Sequence, residues 1–301
     1  MLKKRKELPQ MFDHIPTLWA PNNSFTITGG VVSNPEDTDF AFHIHSYDEI
    51  YIFFEGSATY RVEGITYENL QPYDIILIKR SKYHCIKHNV PLVPYNRLII
   101  SLSPYFYELP NCSRFAKIFD NDAHSGSLIP AALTKSSGIY DCFKRYNGYF
   151  NSSPDKYPFL APGFINELVY LISLLDLRAV GTKNDLIQNI IDYINSDPSF
   201  QLTVEQIAEK YFISTRHLNR VFKEETGLTV RQYIIRKKFY KTQQLYLSGM
   251  NITEACTEAG FSSYNSFYTA FVTEYGKSPK KALNSFNLAP HNVEPSSHFK
   301  P

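Results

Sequence analysis

The sequence predicts an α+β chain, with strands in its N-terminal half and an all-α C-terminal third. Three observations predict it. Over 25–103, short runs rich in Ile, Val, Tyr and Phe alternate with turn residues. From 185 to 285 the chain reads as helix, interrupted at Gly and Ser. Within that helical part, "LTVEQIAEKYFISTRHLNRVFKEETGLTV" (202–230) and "NITEACTEAGFSSYNSFYTAFVTEYGKSP" (251–279) look like two copies of one unit. A length of 301 residues leaves room for two domains, divided here at 1–180 and 181–301.

The strands come first. "SFTITGGVV", "EIYIFFEGSATYRVEG", "ITYENLQPYDIILIKR", "YHCIKH" and "NRLIISLS" are short and regularly spaced, which predicts a small antiparallel barrel or sandwich. Val62-Glu63-Gly64-Ile65 reads as a hairpin turn. Residues 111–160 carry frequent Ser, Asn, Asp and Pro and predict short helices with loops. "PGFINELVYLISLLDL" (162–177) sets Phe164, Leu168, Leu171 and Leu175 on one helical face, followed by a linker at 179–184.

The two C-terminal copies align closely. Phe222-x4-Gly227 matches Phe271-x4-Gly276, and Leu218 matches Phe267. Each copy opens on a capping signal, Thr203 with Gln206 and Asn251 with Glu254. Each then places a small residue, Ala208 or Cys256, where a second helix crosses. Ser214 and Ser262/Ser263 cap that second helix. This is the pattern of a helix-turn-helix, at about 203–225 and 251–275. Between the copies, 230–247 predicts one helix about 27 Å long at ~1.5 Å per residue. Its Arg231, Arg236, Lys237, Lys238 and Lys241 crowd the face away from Ile235, Phe239 and Thr242. Such a rod spaces two recognition helices by nearly one turn of B-DNA, about 34 Å.

Charge agrees with that reading. Residues 199–287 hold 12 Lys/Arg against 7 Asp/Glu, whereas 1–198 hold 18 against 21. The C-terminal third is the part suited to a polyanion. Cys85, Cys112, Cys142 and Cys256 are scattered and form no CxxC, which fits a reducing cytoplasm. The apolar run at 168–175 is far short of the ~20 residues that cross a bilayer. "MLKKRKELPQ" is a basic tail without the apolar core of a secretory signal. A cytoplasmic protein with no membrane partner is expected.

The repeat, the linker helix and the closing Phe-x3-Phe-x4-Gly-x-Ser-Pro resemble the AraC/XylS family of bacterial transcription regulators over about 100 residues. The resemblance implies double-stranded DNA as partner, a homodimer and contact with RNA polymerase. It places DNA-facing positions on Arg216, Asn219 and Arg220 in the first unit and on Tyr264, Asn265 and Thr269 in the second. Lys223 in the first unit, with Lys237, Lys238 and Lys241 in the linker helix, is assigned to phosphate. The sequence departs from the family at Thr269, where Arg is frequent, at Val272, and at Lys238 and Thr242. Residues 251–275 therefore carry no Lys or Arg and three Glu, leaving neighbouring Lys277, Lys280 and Lys281 as cations. Arg216 and Arg220 suit guanine, and Asn219 and Asn265 suit adenine.

In the strand-rich half, His43-x-His45-x3-Glu49-x6-Gly56 resembles the first cupin motif, with His84 at the place of that fold's third histidine. The second motif is degraded, with Pro72-Tyr73-Asp74 at its usual turn. The resemblance implies a cupin-like barrel that senses a small effector, possibly a sugar, and implies dimerisation through the 162–177 helix. Candidate pocket residues are His43, His45, Glu49, Tyr51, Tyr60 and His84. Glu49 and Tyr51 are two apart on one strand and point the same way. Three uses of the histidines stay open: a metal-free effector pocket, which is preferred, a divalent metal site, or structure alone. No cofactor and no enzymatic activity are expected. The alternative is a metal-dependent cupin enzyme fused to a DNA-binding domain.

Overall fold

Among the described residues of the computed structural model, the N-terminal half holds the strands β1 (Leu18–Trp19), β2 (Phe25–Val32), β3 (Ile44–His45), β4 (Asp48–Glu55), β5 (Ala58–Val62), β6 (Ile65–Tyr67), β7 (Ile75–Ile78), β8 (His84–His88) and β9 (Tyr95–Leu102). Helix α1 (Pro104–Glu108), a 3₁₀ turn at Ser113–Ala116, α2 (Lys117–Asp120), β10 (Ser127–Ile129), α3 (Ala131–Ser136), α4 (Ile139–Ser152) and α5 (Tyr157–Ser173) complete the N-terminal half. After β11 (Thr182–Lys183) come α6 (Asp185–Ser196), α7 (Val204–Lys210), α8 (Thr215–Thr226), α9 (Val230–Leu247), α10 (Ile252–Glu258), α11 (Tyr264–Tyr275) and β12 (Asn287–Leu288). The structure describes residues 11–12, 15, 18–20, 23–32, 42–90, 93–120, 127–152, 156–177, 182–183, 185–276, 278–279 and 287–288. The basic tail, most of the 179–184 linker, and Lys277, Lys280 and Lys281 lie outside the described residues.

Among the described residues all strand pairs are antiparallel. One sheet runs β1-β2-β9-β4-β7-β10 and a second runs β11-β6-β5-β8, while β12 pairs with β3. Strand β4 shows why the first sheet is buried on both faces. Its side chains alternate. Ile50, Ile52 and Phe54 pack outward with Phe143, Phe164 and Leu168 of α4 and α5. Tyr51 and Phe53 point inward to Tyr60, Val62 and Ile86 of the second sheet. The 162–177 helix starts earlier than expected, at Tyr157, and packs Phe164, Ile165, Leu168, Val169 and Ile172 onto this core.

The β5–β6 hairpin turns at Glu63 (φ 40°) and Gly64 (φ 43°). Two consecutive positive φ values make the type I′ turn whose twist matches antiparallel strands. Strand β11, from the expected linker, pairs with β6 and continues the second sheet. Strand β10 adds to the edge of the first sheet where helices and loops were expected.

The C-terminal helices form two cores. Ile207, Ala208, Leu218, Phe222 and Tyr233 belong to one, together with Ile187, Ile190, Ile191 and Ile194 of α6. Phe239, Cys256, Phe261, Phe267, Phe271 and Tyr275 form the other. The first core reaches into the N-terminal half, for Phe42, Ile44, Tyr83 and Cys85 are part of it. Helix α9 contributes to both cores and docks on the barrel.

Candidate nucleic-acid interface and sensor site

The first helix-turn-helix begins as its sequence dictates. Thr203 Oγ accepts from the Gln206 amide, and the Gln206 side chain accepts from Thr203 N–H at 2.9 Å. Ser214 caps α8 by accepting from His217 N–H. Leu218 and Phe222 are buried, so Arg216, Arg220 and Lys223 emerge on the exposed side. Arg220 forms an exposed i,i+4 pair with Glu224 at 2.8 Å. Such a pair is worth only about 0.5 kcal/mol, so it yields readily to a base. Asn219 has other work: its amide donates to Thr215 O, and its Oδ1 accepts from Val230 N–H at 3.2 Å. It thereby satisfies an orphan donor at the start of α9. Phe212, passed over in the sequence, is 95% exposed in the turn between the helices.

The second unit is capped differently from the expectation. Asn251 accepts from Thr253 N–H, with no reciprocal bond from Glu254. The capping box forms one helix later, between Ser263 and Ser266. Asn265 and Thr269 are exposed on α11 and Tyr264 is half-buried, with its ring against Phe267 and Tyr268. Gly276, at φ 62°, ends the helix in the left-handed conformation that glycine supplies most easily.

The linker helix matches 230–247, but its lysines are engaged within the protein. Lys238 donates to Gly260 O at 2.7 Å, and burial lowers its pKa. Lys241 donates to Pro198 O at 2.7 Å and Glu258 O at 2.6 Å. The Glu258 and Gly260 carbonyls lie at the C-terminal end of α10, where positive charge is favoured by the helix dipole. Lys237 departs furthest from a phosphate-facing position: it is 5% exposed. Its Nζ donates to Glu63 Oε1 at 2.9 Å and Ser81 O at 2.7 Å. In this arrangement Lys237 reaches phosphate only by leaving the barrel. Periodicity showed a basic face on α9, but it carries no information that another part of the chain covers that face.

Glu63 is the centre of this contact. It accepts from Lys237, from Tyr233 Oη at 2.9 Å and from Tyr83 N–H at 3.2 Å, and pairs with Lys82 at 3.1 Å. Burial pushes its pKa up, but the ammonium groups of Lys237 and Lys82 outweigh that and hold it at about 2. Burial drags Lys237 down while Glu63 holds it up. With two acceptors in reach, the ammonium form is the one this geometry needs. Next to it, Arg236 donates to Phe42 O at 2.8 Å and pairs with Glu274.

The structure brings all six expected sensor residues into one group, buried except for half-buried His43. His43, His45 and His84 lie ring to ring, with centroids 4.2 Å apart for His43–His84 and 4.7 Å for His45–His84. Glu49 Oε2 is 3.2 Å from His45 Nε2, and Tyr60 Oη donates to Glu49 Oε1 at 3.1 Å. Tyr60 stacks on His84, and Tyr51 is bonded to Tyr95 through their hydroxyls at 2.8 Å. Burial lowers the pKa of His45 to about 3 and that of His84 well below the usual histidine value, so both are neutral. The imidazoles present the right donor set for a divalent transition metal, with one ligand atom of each within 4.8 Å of the others.

Comparison with known proteins agrees with the C-terminal geometry. A family model described as a helix-turn-helix domain matches residues 207–285. The HTH-type transcriptional activator RhaS of Salmonella schwarzengrund (strain CVM19633) is 24% identical over 256 residues, covering 80% of this chain and 86% of RhaS. RhaS of Salmonella enteritidis PT4 (strain P125109) aligns at the same identity and coverage. Among solved structures, ToxT from Vibrio cholerae aligns over 86% of this chain and 98% of its own, at 15% identity and a TM-score of 0.33. Among the described residues, no helix is long and apolar enough to cross a membrane. With two helix-turn-helix units on one linker helix and the helix-turn-helix match at 207–285, the C-terminal part is a helix-turn-helix DNA-binding domain of AraC type, and the chain is similar to transcription regulators of that family.

Proposed function

We propose that the chain is an effector-responsive, sequence-specific regulator, with a sensing and dimerising part at 1–180 and a DNA-reading part at 181–301. The observation that carries this reading is where α9 sits. Through Lys237, Arg236 and Tyr233 it touches the barrel beside the largely buried group of His43, His45, Glu49, Tyr51, Tyr60 and His84. An effector there acts on the helix that spaces the two DNA-reading units. Arg216 and Arg220 read bases in one half-site, and Tyr264, Asn265 and Thr269 in the other, with Lys223 on phosphate. Asn219 supports α9 rather than reading adenine. A homodimer, RNA polymerase as partner and a cytoplasmic location follow from the same family reading. The names of the RhaS relatives describe transcriptional activators, so no catalytic residue is assigned.

The test uses an operator selected from random DNA and fluorescence anisotropy of the full chain. Arg220→Ala is expected to lose about 1–3 kcal/mol on the operator and to relax preference at one base position. Asn219→Ala is expected to lower thermal stability by about 1 kcal/mol without relaxing base preference. Equal weakening by Arg220→Ala on operator and random DNA would remove Arg220 from the base-reading set.

A further inference from the structure

Strand β3 is bonded on both edges, by distant parts of the chain. On one edge His43 N–H donates to His84 O at 3.0 Å and His84 N–H to His43 O at 3.1 Å. Ser81 N–H donates to His45 O at 3.2 Å on the same edge. In an antiparallel ladder, successive residues turn their N–H and C=O to opposite edges. The backbone groups of His43 and His45 are thus spent on the 81–84 stretch, and those of Ile44 turn the other way. The edge they reach is taken by β12, from beyond the second helix-turn-helix unit. Its register is Ile44↔Leu288 and His45↔Asn287. Ile44 with Leu288 is therefore the hydrogen-bonded pair, and His45 with Asn287 the non-hydrogen-bonded one.

The pairing meets a need of β3. Ile44 is 1% exposed, and a buried backbone N–H or C=O without a partner is costly. A strand on the second edge satisfies both groups at once. Two residues of strand pair only weakly by themselves, since even a whole two-stranded hairpin is marginal in water. Here the added strand is joined to its target. Asn287 lies eleven residues beyond Gly276, the residue that ends α11, so the tether spans at most about 40 Å. Such a tether keeps β12 near β3 at an effective concentration on the order of millimolar, enough to hold a weak pairing and still let it open. The end of α11 also lies on this part of the barrel. Its Glu274 pairs with Arg236, and Arg236 donates to Phe42 O at 2.8 Å, two residues before Ile44.

We propose that β12 is a releasable strap, which completes β3 as an added strand in cis and thereby restrains the second helix-turn-helix unit against the barrel. The contacts of α8 and α9 with the barrel hold the first unit and the linker helix. The strap reaches the second unit by a separate route. Because His45 lies on β3 and His43 directly precedes it, the expected sensor group and the strap act on the same few residues of backbone. The consequence for DNA rests on the regulator reading. With the strap paired, the second unit is kept from the position an operator requires; with it released, that position is open. Strap pairing therefore weakens binding to an operator with both half-sites, by about fivefold at the lower end of ordinary coupling between sites. Binding to DNA that carries only the first unit's half-site is unaffected.

The experiment compares Leu288→Pro with Asn287→Pro in the full chain. Proline removes the N–H that Leu288 gives to Ile44, whereas the N–H of Asn287 points away from β3 and its loss is tolerated on an edge strand. Hydrogen exchange of the peptide containing Ile44 is expected to quicken about fivefold in Leu288→Pro, as for one lost hydrogen bond, and to stay at the wild-type rate in Asn287→Pro. Operator affinity should rise about fivefold in Leu288→Pro alone, with half-site affinity unchanged. Should Leu288→Pro fail to fold, a synthetic peptide of residues 283–292, added to wild type at millimolar concentration, is expected to give the same gain. Equal exchange in the two variants overturns the pairing of β12 with Ile44. Faster exchange with unchanged operator affinity overturns the restraint on the second unit. If neither wild type nor the variants bind any selected operator, the regulator reading fails, and the exchange contrast alone decides the strap.

Discussion

Glu63 combines three features that a surface turn residue seldom has: a positive φ, near-complete burial and four donors. A buried carboxylate is tolerable only when it is paired and hydrogen-bonded. Its folded pKa, about 2, lies below the ordinary value of 4.5. The sign follows. Ionisation favours the folded chain, so this stabilisation is complete above about pH 4.5 and is lost as pH falls toward 2. The difference corresponds to roughly 3 kcal/mol. Urea unfolding of wild type should weaken by that order between pH 5 and pH 2.5, and Glu63→Gln should remove most of this particular slope. If both proteins lose stability in parallel, Glu63 is not held ionised by Lys237 and Lys82. The sequence made Glu63 legible as a turn residue, because Glu-Gly between two β-rich runs fits a hairpin. It could not show Glu63 as an ion-pair partner, because Lys237 is 174 positions away.

At the scale of elements, boundaries set by local chemistry were legible. The linker helix spans 230–247 as read, because Thr229 with Gln232 fixes its start and Gly249 follows its end. Strands β10 and β11 were not, since "SLI" and "TK" have no pattern of their own and exist only by pairing with β7 and β6. The lysines of α9 were legible as a basic face but not as clamps. That difference changes the expected salt dependence. Were Lys238 and Lys241 phosphate contacts, removing both would flatten the log–log slope by about 1.8, at ~0.9 per phosphate. Because they hold the carbonyls of Gly260, Glu258 and Pro198, Lys238→Met with Lys241→Met is expected to flatten it by much less. The cost should appear as a lower melting temperature of the second unit. A slope change near 1.8 with unchanged melting returns both lysines to the DNA surface.

At the scale of the whole molecule, the contact between its two halves is a packed core as well as an ion pair. Phe42, Ile44, Tyr83 and Cys85 complete the same cluster as Leu218, Phe222 and Tyr233. Gly227 lets the halves approach. It ends α8 at φ 72°, and a Cβ there would lie 2.7 Å from the Phe42 ring. Gly227→Ala therefore carries two penalties of different origin. One is local, about 1–2 kcal/mol for a side chain in the left-handed region. The other is overpacking against Phe42, about 1–3 kcal/mol, and it exists only if the halves are docked. Phe42→Ala removes the ring and with it the second penalty. A double-mutant cycle in urea isolates that term. Gly227→Ala should cost 0.5–3 kcal/mol less in the Phe42→Ala background than in wild type, the range for residues in contact. Additivity within about 0.3–0.5 kcal/mol would mean that α8 and the barrel do not touch in solution. The docking that places α9 beside the histidines would then be wrong for the free protein. Coupling in the expected range, lost when the operator is bound, would identify undocking as the step that DNA and the barrel site share.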